Sequence, residues 1–216
     1  MEYKYNKNNL NPDLVSYIEE NIFPEYDLNE IGHGINHILD VINHSFNIAQ
    51  NYDVNLNIVY AVAAYHDIGH HIDRKKHEVI SAEMMIKDSN LSNFFSKDDL
   101  NTIKIAIEDH RASNDSEPRN LYGRIISAAD KNLTVKKAIC RTFTYTKEHN
   151  PEFTFNDVLE EIYNHLNNKF GKNGYAKVYI KDEYFENFKS EIISLLENKN
   201  KFLEFVMQTL KEEKYI

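Results

Sequence analysis

Apolar positions recur along this chain at helical rather than strand spacing. "NPDLVSYIEENIF" opens with Asn11 as a cap and Pro12 at the first helical position. From 34 to 51, Ile35, Ile38, Ile42, Phe46 and Ala49 fall on one stripe of a helical wheel, widened by Val41 and Ile48. Asn36, Asp40, Asn43 and Asn47 form its wet face. The segment 56 to 68 is apolar nearly all round, the signature of a central buried helix. A short helix is predicted over Ser81 to Lys87, after a basic loop. Ser96 and Asp99 form a capping-box pattern ahead of a helix at about 98 to 111. "SNDSEPRN" reads as a polar loop, and a helix from about 119 to 131 is expected to run on, after a kink, to about 148. "PEFTFNDVLEEIYNHLNNKF" gives a further helix ended by "GKNG", and 182 to 213 gives one or two more. No strand pattern persists, and only six Gly and four Pro interrupt the chain. The predicted fold class is all-α.

Length and charge narrow the classes of function. A chain of 216 residues suits one domain, or one domain with a helical extension. The longest apolar run, 58 to 65, is far too short to span a bilayer, and "MEYKYNKNNLNPD" has no apolar core of a signal peptide. A lone cysteine, Cys140, excludes an intramolecular disulfide framework and fits a reducing cytoplasm, the expected location. A formal charge of −9 argues against binding polymeric nucleic acid, although "DRKKH" can meet a small anion.

The candidate chemistry lies where polar ligands meet apolar helix faces. His37 sits at the margin of the wide stripe, and His66 and Asp67 end the central helix. His110 lines up with Ile103, Ala106 and Ile107, and Asp130 with Ile126 and Leu133. His77 begins the run His77, Ile80, Ser81, Met84. A single histidine on an apolar face is commonly a packing residue. A buried aspartate is different, because it needs a cation or good donors. Imidazoles and two aspartates facing inward from several helices describe a metal site in a bundle core. Nitrogen and carboxylate donors without thiolate suit divalent Fe, Mn, Co, Ni or Zn, and four protein ligands with open positions favour the first four over Zn. Other histidines stay open: His33 pairs with His37 at i,i+4 in "HGINH", but its face is undefined. His70, His71 and Asp73 are unassigned rim residues, and His44 and His165 read as surface or packing positions. No HExxH, CxxC pair, Walker A loop or G-x-S-x-G occurs.

In order, "GHGINHILDV", "AAYHDIGHH" and "SAADK" make an H…HD…D pattern. It resembles the HD-domain superfamily of metal-dependent phosphohydrolases over about residues 30 to 150, and "AICRTFTY" at 138 to 145 is similar to small bacterial members. The resemblance implies a helical bundle in which His37, His66, Asp67 and Asp130 bind one metal. His77 and His110 fall where some members, such as two-iron diadenosine tetraphosphate hydrolases, bind a second, with Asp67 as the bridge. It divides the chain into an N-terminal helix and lead-in (1–29), a metal-binding core (30–150) and a C-terminal helical extension (151–216). It implies hydrolysis of a nucleotide or other small phosphate ester by a metal-activated hydroxide, with His66 and Asp67 at the reaction centre. Lys131, Arg111 and the Arg74-Lys75-Lys76 cluster are the candidate cations for developing charge. One departure is Asp40, where many relatives carry a basic residue. Two other classes fit the same ligands: a two-iron oxygenase of this fold, and a non-catalytic nucleotide sensor. A homo-oligomer is compatible with the C-terminal helices.

Overall fold

Helix starts follow their caps. The computed structural model describes residues 7–30, 32–111, 114, 116–131 and 134–216, and among these every regular element is helical. Asn11 accepts hydrogen bonds from the backbone of Asp13 and Leu14, with Pro12 at the first position, to open α1 (Pro12–Asn21). Gly34 precedes α2 (Ile35–Ala49), and Asn55 caps α3 (Leu56–Tyr65). The helices α4 (His77–Lys87), α5 (Lys97–Asp109) and α6 (Leu121–Ala129) follow. Ser96 and Asp99 form the expected capping box at α5.

Three expected boundaries move. The central helix ends at Tyr65 rather than 68, because the chain turns through 66–72. The helix after the basic loop starts at His77, one turn before Ser81. The kinked helix expected from 119 to 148 is two helices, since Thr134 caps a separate α7 (Val135–His149) through Lys137 N. Leu133, expected in line with Asp130, lies outside the described residues, as does part of the loop 113–120.

The chain divides into two compact units, 1–132 with 178–181, and 133–177 with 182–216. α7, which the sequence groups with 30–150, belongs to the second. There it packs with α8 (Phe155–Phe170), α9 (Glu183–Leu196) and α10 (Lys199–Glu212). Ile139, Ile162, Phe202 and Val206 are among the buried apolar side chains of this unit. No described helix is long and apolar enough to cross a membrane.

In the first unit α3 is the central element. It packs against α2, α5 and α6, and no residue from Ile58 to Tyr65 is more than 4% exposed. Its small residues Ala61, Ala63 and Ala64 are buried among these neighbours. Ile38, Ile42 and Phe46 bury the predicted stripe of α2, each contributing about 1.5–3 kcal/mol. Asp88 ties three segments together by accepting from Tyr17 Oη (2.6 Å) and Tyr65 Oη (2.5 Å) at the end of α4.

Two features set the end of α3. Buried Tyr26, in the 3₁₀ turn Phe23–Leu28, donates to the carbonyl of Ala64 at 2.8 Å. Past the helix, Gly69 lets the turn press on α4: a Cβ there would lie 2.6 Å from Ile80 Cγ2 and 2.9 Å from Ser81 N. Ser81 Oγ in turn accepts from Gly69 N at 3.0 Å. Tyr26→Phe leaves the Ala64 carbonyl without this donor in a buried site. The expected loss, read from urea unfolding, is about 1–3 kcal/mol with unchanged helical content.

Candidate metal centre

Five ligand-type side chains sit at helix termini. His66 ends α3 and Asp67 follows it; His110 ends α5, Asp130 ends α6, and His77 is the first residue of α4. His37 joins them from the first turn of α2. His66, Asp67, His77 and His110 are buried.

Asp67 is the common point. Its Oδ2 lies 3.6 Å from both His37 Nε2 and His66 Nε2. Asp130 Oδ1 is 3.2 Å from the former and 3.9 Å from the latter. Asp67 Oδ1 faces the other way, 3.2 Å from His77 Nε2 and 3.4 Å from His110 Nε2, which are themselves 3.1 Å apart. Thus one carboxylate divides the imidazoles into two sets.

The ring orientations are fixed from behind. His66 Nδ1 contacts Ala63 O at 2.9 Å, His77 Nδ1 contacts Arg74 O at 2.8 Å, and His110 Nδ1 contacts Ile107 O at 2.6 Å. A carbonyl only accepts, so each Nδ1 carries a proton and each Nε2 is turned to the centre, the arrangement of a metal-binding imidazole.

The electrostatics agree. Burial pushes the His66 imidazole down to about 4, against the pull of Asp67. Burial alone would raise Asp67, but the surrounding imidazoles, His66 first, reverse this and hold it well below the usual carboxylate range. Asp130 behaves likewise, with His37 the main opposing partner. Burial lowers His77, helped by His110. Burial would lower His110 too, but its contact with Asp67 overrides this and raises it. Buried His66 Nε2 and Asp67 Oδ1 have no hydrogen-bond partner despite the near approaches above. Such orphaned atoms need a ligand.

The residues fit a divalent metal. Donors about 2.0–2.2 Å from one ion lie about 3–4 Å from one another, the range seen in each set. The groups His37, His66, Asp130 and His66, Asp67, His110 each have their donor atoms within 4.8 Å of one another. Nitrogen with carboxylate is a donor set for first-row divalent ions.

The structure brings His37, His66, Asp67, His77, His110 and Asp130 into one cluster. Arg111 and Lys131, predicted as cations for developing charge, are each held by partners of their own. Arg111 Nη1 donates to Lys75 O at 2.5 Å and is 3.5 Å from Glu78 Oε1, so it braces the basic loop. Lys131 is buried, with its Nζ donating to Ser127 O (2.6 Å) and Ser127 Oγ (2.7 Å) one turn back. His44 is a buried residue of α2, His165 is exposed on α8, and Asp40 is exposed. His33 is the residue that the sequence leaves open: its Nδ1 lies 2.9 Å from Asp67 Oδ2. The i,i+4 spacing in "HGINH" carries that signal, obscured because Gly34 caps the helix and leaves His33 outside it.

Residues 34–133, from the cap of α2 to the boundary between the units, match the HD domain family. The chain carries an HD domain. The HD domain family is one of metal-dependent hydrolases. The chain is also similar in fold to the crystal structure of a predicted HD superfamily hydrolase from an uncultured Thermotogales bacterium. The two are 20% identical, with a TM-score of 0.52 over 93% of this chain and 91% of that one. Comparison with curated proteins finds no match.

Acid destabilises the metal-free protein. An imidazole held neutral down to about 4 when folded titrates near 6.5 when unfolded, so the unfolded state binds more protons between those values. His70, pushed down to about 3 by burial and by His33, acts in the same direction; raised His110 opposes both. After chelation, the urea midpoint falls from pH 7 to pH 4.5, with His66 contributing on the order of 3 kcal/mol. A midpoint that rises on acidification contradicts neutral burial of these rings.

Proposed function

We propose that this protein is a metal-dependent phosphohydrolase or phosphodiesterase that cleaves a small phosphate ester, with a nucleotide as the substrate class. The observation that carries the reading is the division of one buried carboxylate between two sets of imidazoles. Asp67 Oδ2 faces His37 and His66, while Oδ1 faces His77 and His110. That arrangement suits two divalent cations bridged by Asp67, the first completed by Asp130. Divalent iron, manganese, cobalt or nickel suits these donors.

When bound, the ions activate a water for attack on phosphorus and neutralise the phosphoryl oxygens. The chain's own groups do the rest. His66, His77 and His110 turn their Nε2 atoms to the centre because their Nδ1 atoms are committed to carbonyls. Asp67 and Asp130 stay ionised, supplying the negative charge that holds the cations. Arg111, braced on the 74–76 loop, is the cation we assign to the substrate phosphate, with that loop beside it. We give Lys131 a charge-balancing role beside Asp130, because its ammonium is held by Ser127. The net charge of −9 supports a small substrate rather than a nucleic-acid polymer.

Protein purified without oxygen is expected to retain transition metal and to release phosphate from at least one ester in a nucleotide and phosphate-ester screen. Asp67→Ala removes both the metal and the activity; a variant that keeps both refutes the site. Ion counting tests the bridge. His110→Ala is expected to lower the metal content from two ions per chain to one, and Asp67→Ala to near none. If wild-type protein saturates at one ion, the two-cation reading is wrong.

A further inference from the structure

The loop ahead of α2 reaches the centre through a residue outside the six clustered ligands. Asn29 joins this loop to the turn that follows α3. Its amide donates to His33 O at 3.1 Å and to Asp67 O at 3.0 Å, and its Oδ1 accepts from His71 N at 3.0 Å. His71 Nδ1 is a further 3.3 Å contact of that oxygen. Between Asn29 and His33 the backbone must turn sharply. Gly32 takes φ 101°, a left-handed value that side chains resist, and His33 N bonds back to Glu30 O at 3.0 Å. The His33 ring then stacks on buried His70, centroids 4.0 Å apart and planes 16° from parallel. Backbone, ring face and ring edge are therefore all held.

The edge contact has a defined sense. Ionised Asp67 is acceptor-only, so at 2.9 Å the His33 Nδ1 is the donor. A nitrogen carrying that proton has no lone pair there for an ion. A carboxylate oxygen has two lone pairs, however, and can accept from His33 while still facing His37 and His66. We propose that His33 is a positioning residue of the metal centre. Its Nδ1–H fixes the Oδ2 edge of Asp67, and Asn29 with Gly32 holds His33 in place. This rests on the metal-centre reading above and adds to it a partner for the bridging carboxylate. Hydrogen bonds to ligating carboxylates orient them, and their loss lowers metal affinity about 10–100-fold.

The test is titration of the full-length, chelator-treated protein with Mn²⁺ alone, followed by calorimetry. His33→Ala is expected to weaken binding about 10–100-fold. His33→Asn places an amide N–H roughly where Nδ1–H stands and offers no ligating nitrogen, so it is expected to stay within roughly threefold of wild type. Asn29→Ala is expected to match His33→Ala, and the double variant to add little further loss, because the two act as one unit. Circular dichroism and the unfolding midpoint check the fold; if Asn29→Ala does not fold, the His33 pair decides alone. Wild-type protein that takes up no Mn²⁺ refutes the metal reading itself. If wild type binds and His33→Ala binds as tightly, the positioning role is overturned with the metal reading intact. If His33→Asn is as weak as His33→Ala, His33 is a ligand and the positioning role is likewise overturned.

Discussion

A buried carboxylate surrounded by imidazoles is the constraint on which the first unit is arranged. Asp67 is 2% exposed, and an ionised carboxylate in that position is sustained only by positive charge or strong donors. Four of the surrounding helices bring an imidazole to it. α2 brings His37, α4 brings His77, α5 brings His110, and α3 ends in His66. The apolar packing of α3 is the rigid floor from which this charge projects, and the Tyr26 bond to Ala64 O anchors the floor at its edge.

Helix termini suit this purpose. Three ligand-bearing ends are C-terminal (α3, α5, α6) and two are N-terminal (α2, α4). At roughly half a charge each, their dipoles largely cancel. The two carboxylates therefore set the sign of the site. A terminus also frees a side chain from the helical ridge, so that chains running in different directions converge on one point.

Much of this was legible in the sequence. The all-α class follows from the stripe of α2 and the all-round apolarity of α3, and the caps at Asn11 and Ser96 mark their helices directly. The six clustered residues were recognisable because aspartates on apolar faces need partners, and because the H…HD…D order is restrictive. What escaped is what depends on tertiary contact. The close fit of Gly69 against Ile80 and Ser81 of α4 is a tertiary contact that no local propensity encodes. The separation of α6 from α7 rests on a threonine cap inside a run that keeps its helical period. Lys131, a candidate cation for developing charge, has an ammonium that folds back one turn onto Ser127, a contact the sequence does not mark. Asn29 gave no signal at all, since its partners are backbone groups four and about forty residues away.

The Nδ1 contacts of His66, His77 and His110 share one property: each acceptor is the carbonyl three residues earlier in the same segment. The tautomer of each ring is thus chosen by its own local turn, without help from the remote chain. Local turns form far earlier than long-range packing during folding. The proton position on each of the three rings thus rests on contacts of low sequence separation, independent of the long-range packing that brings the rings together.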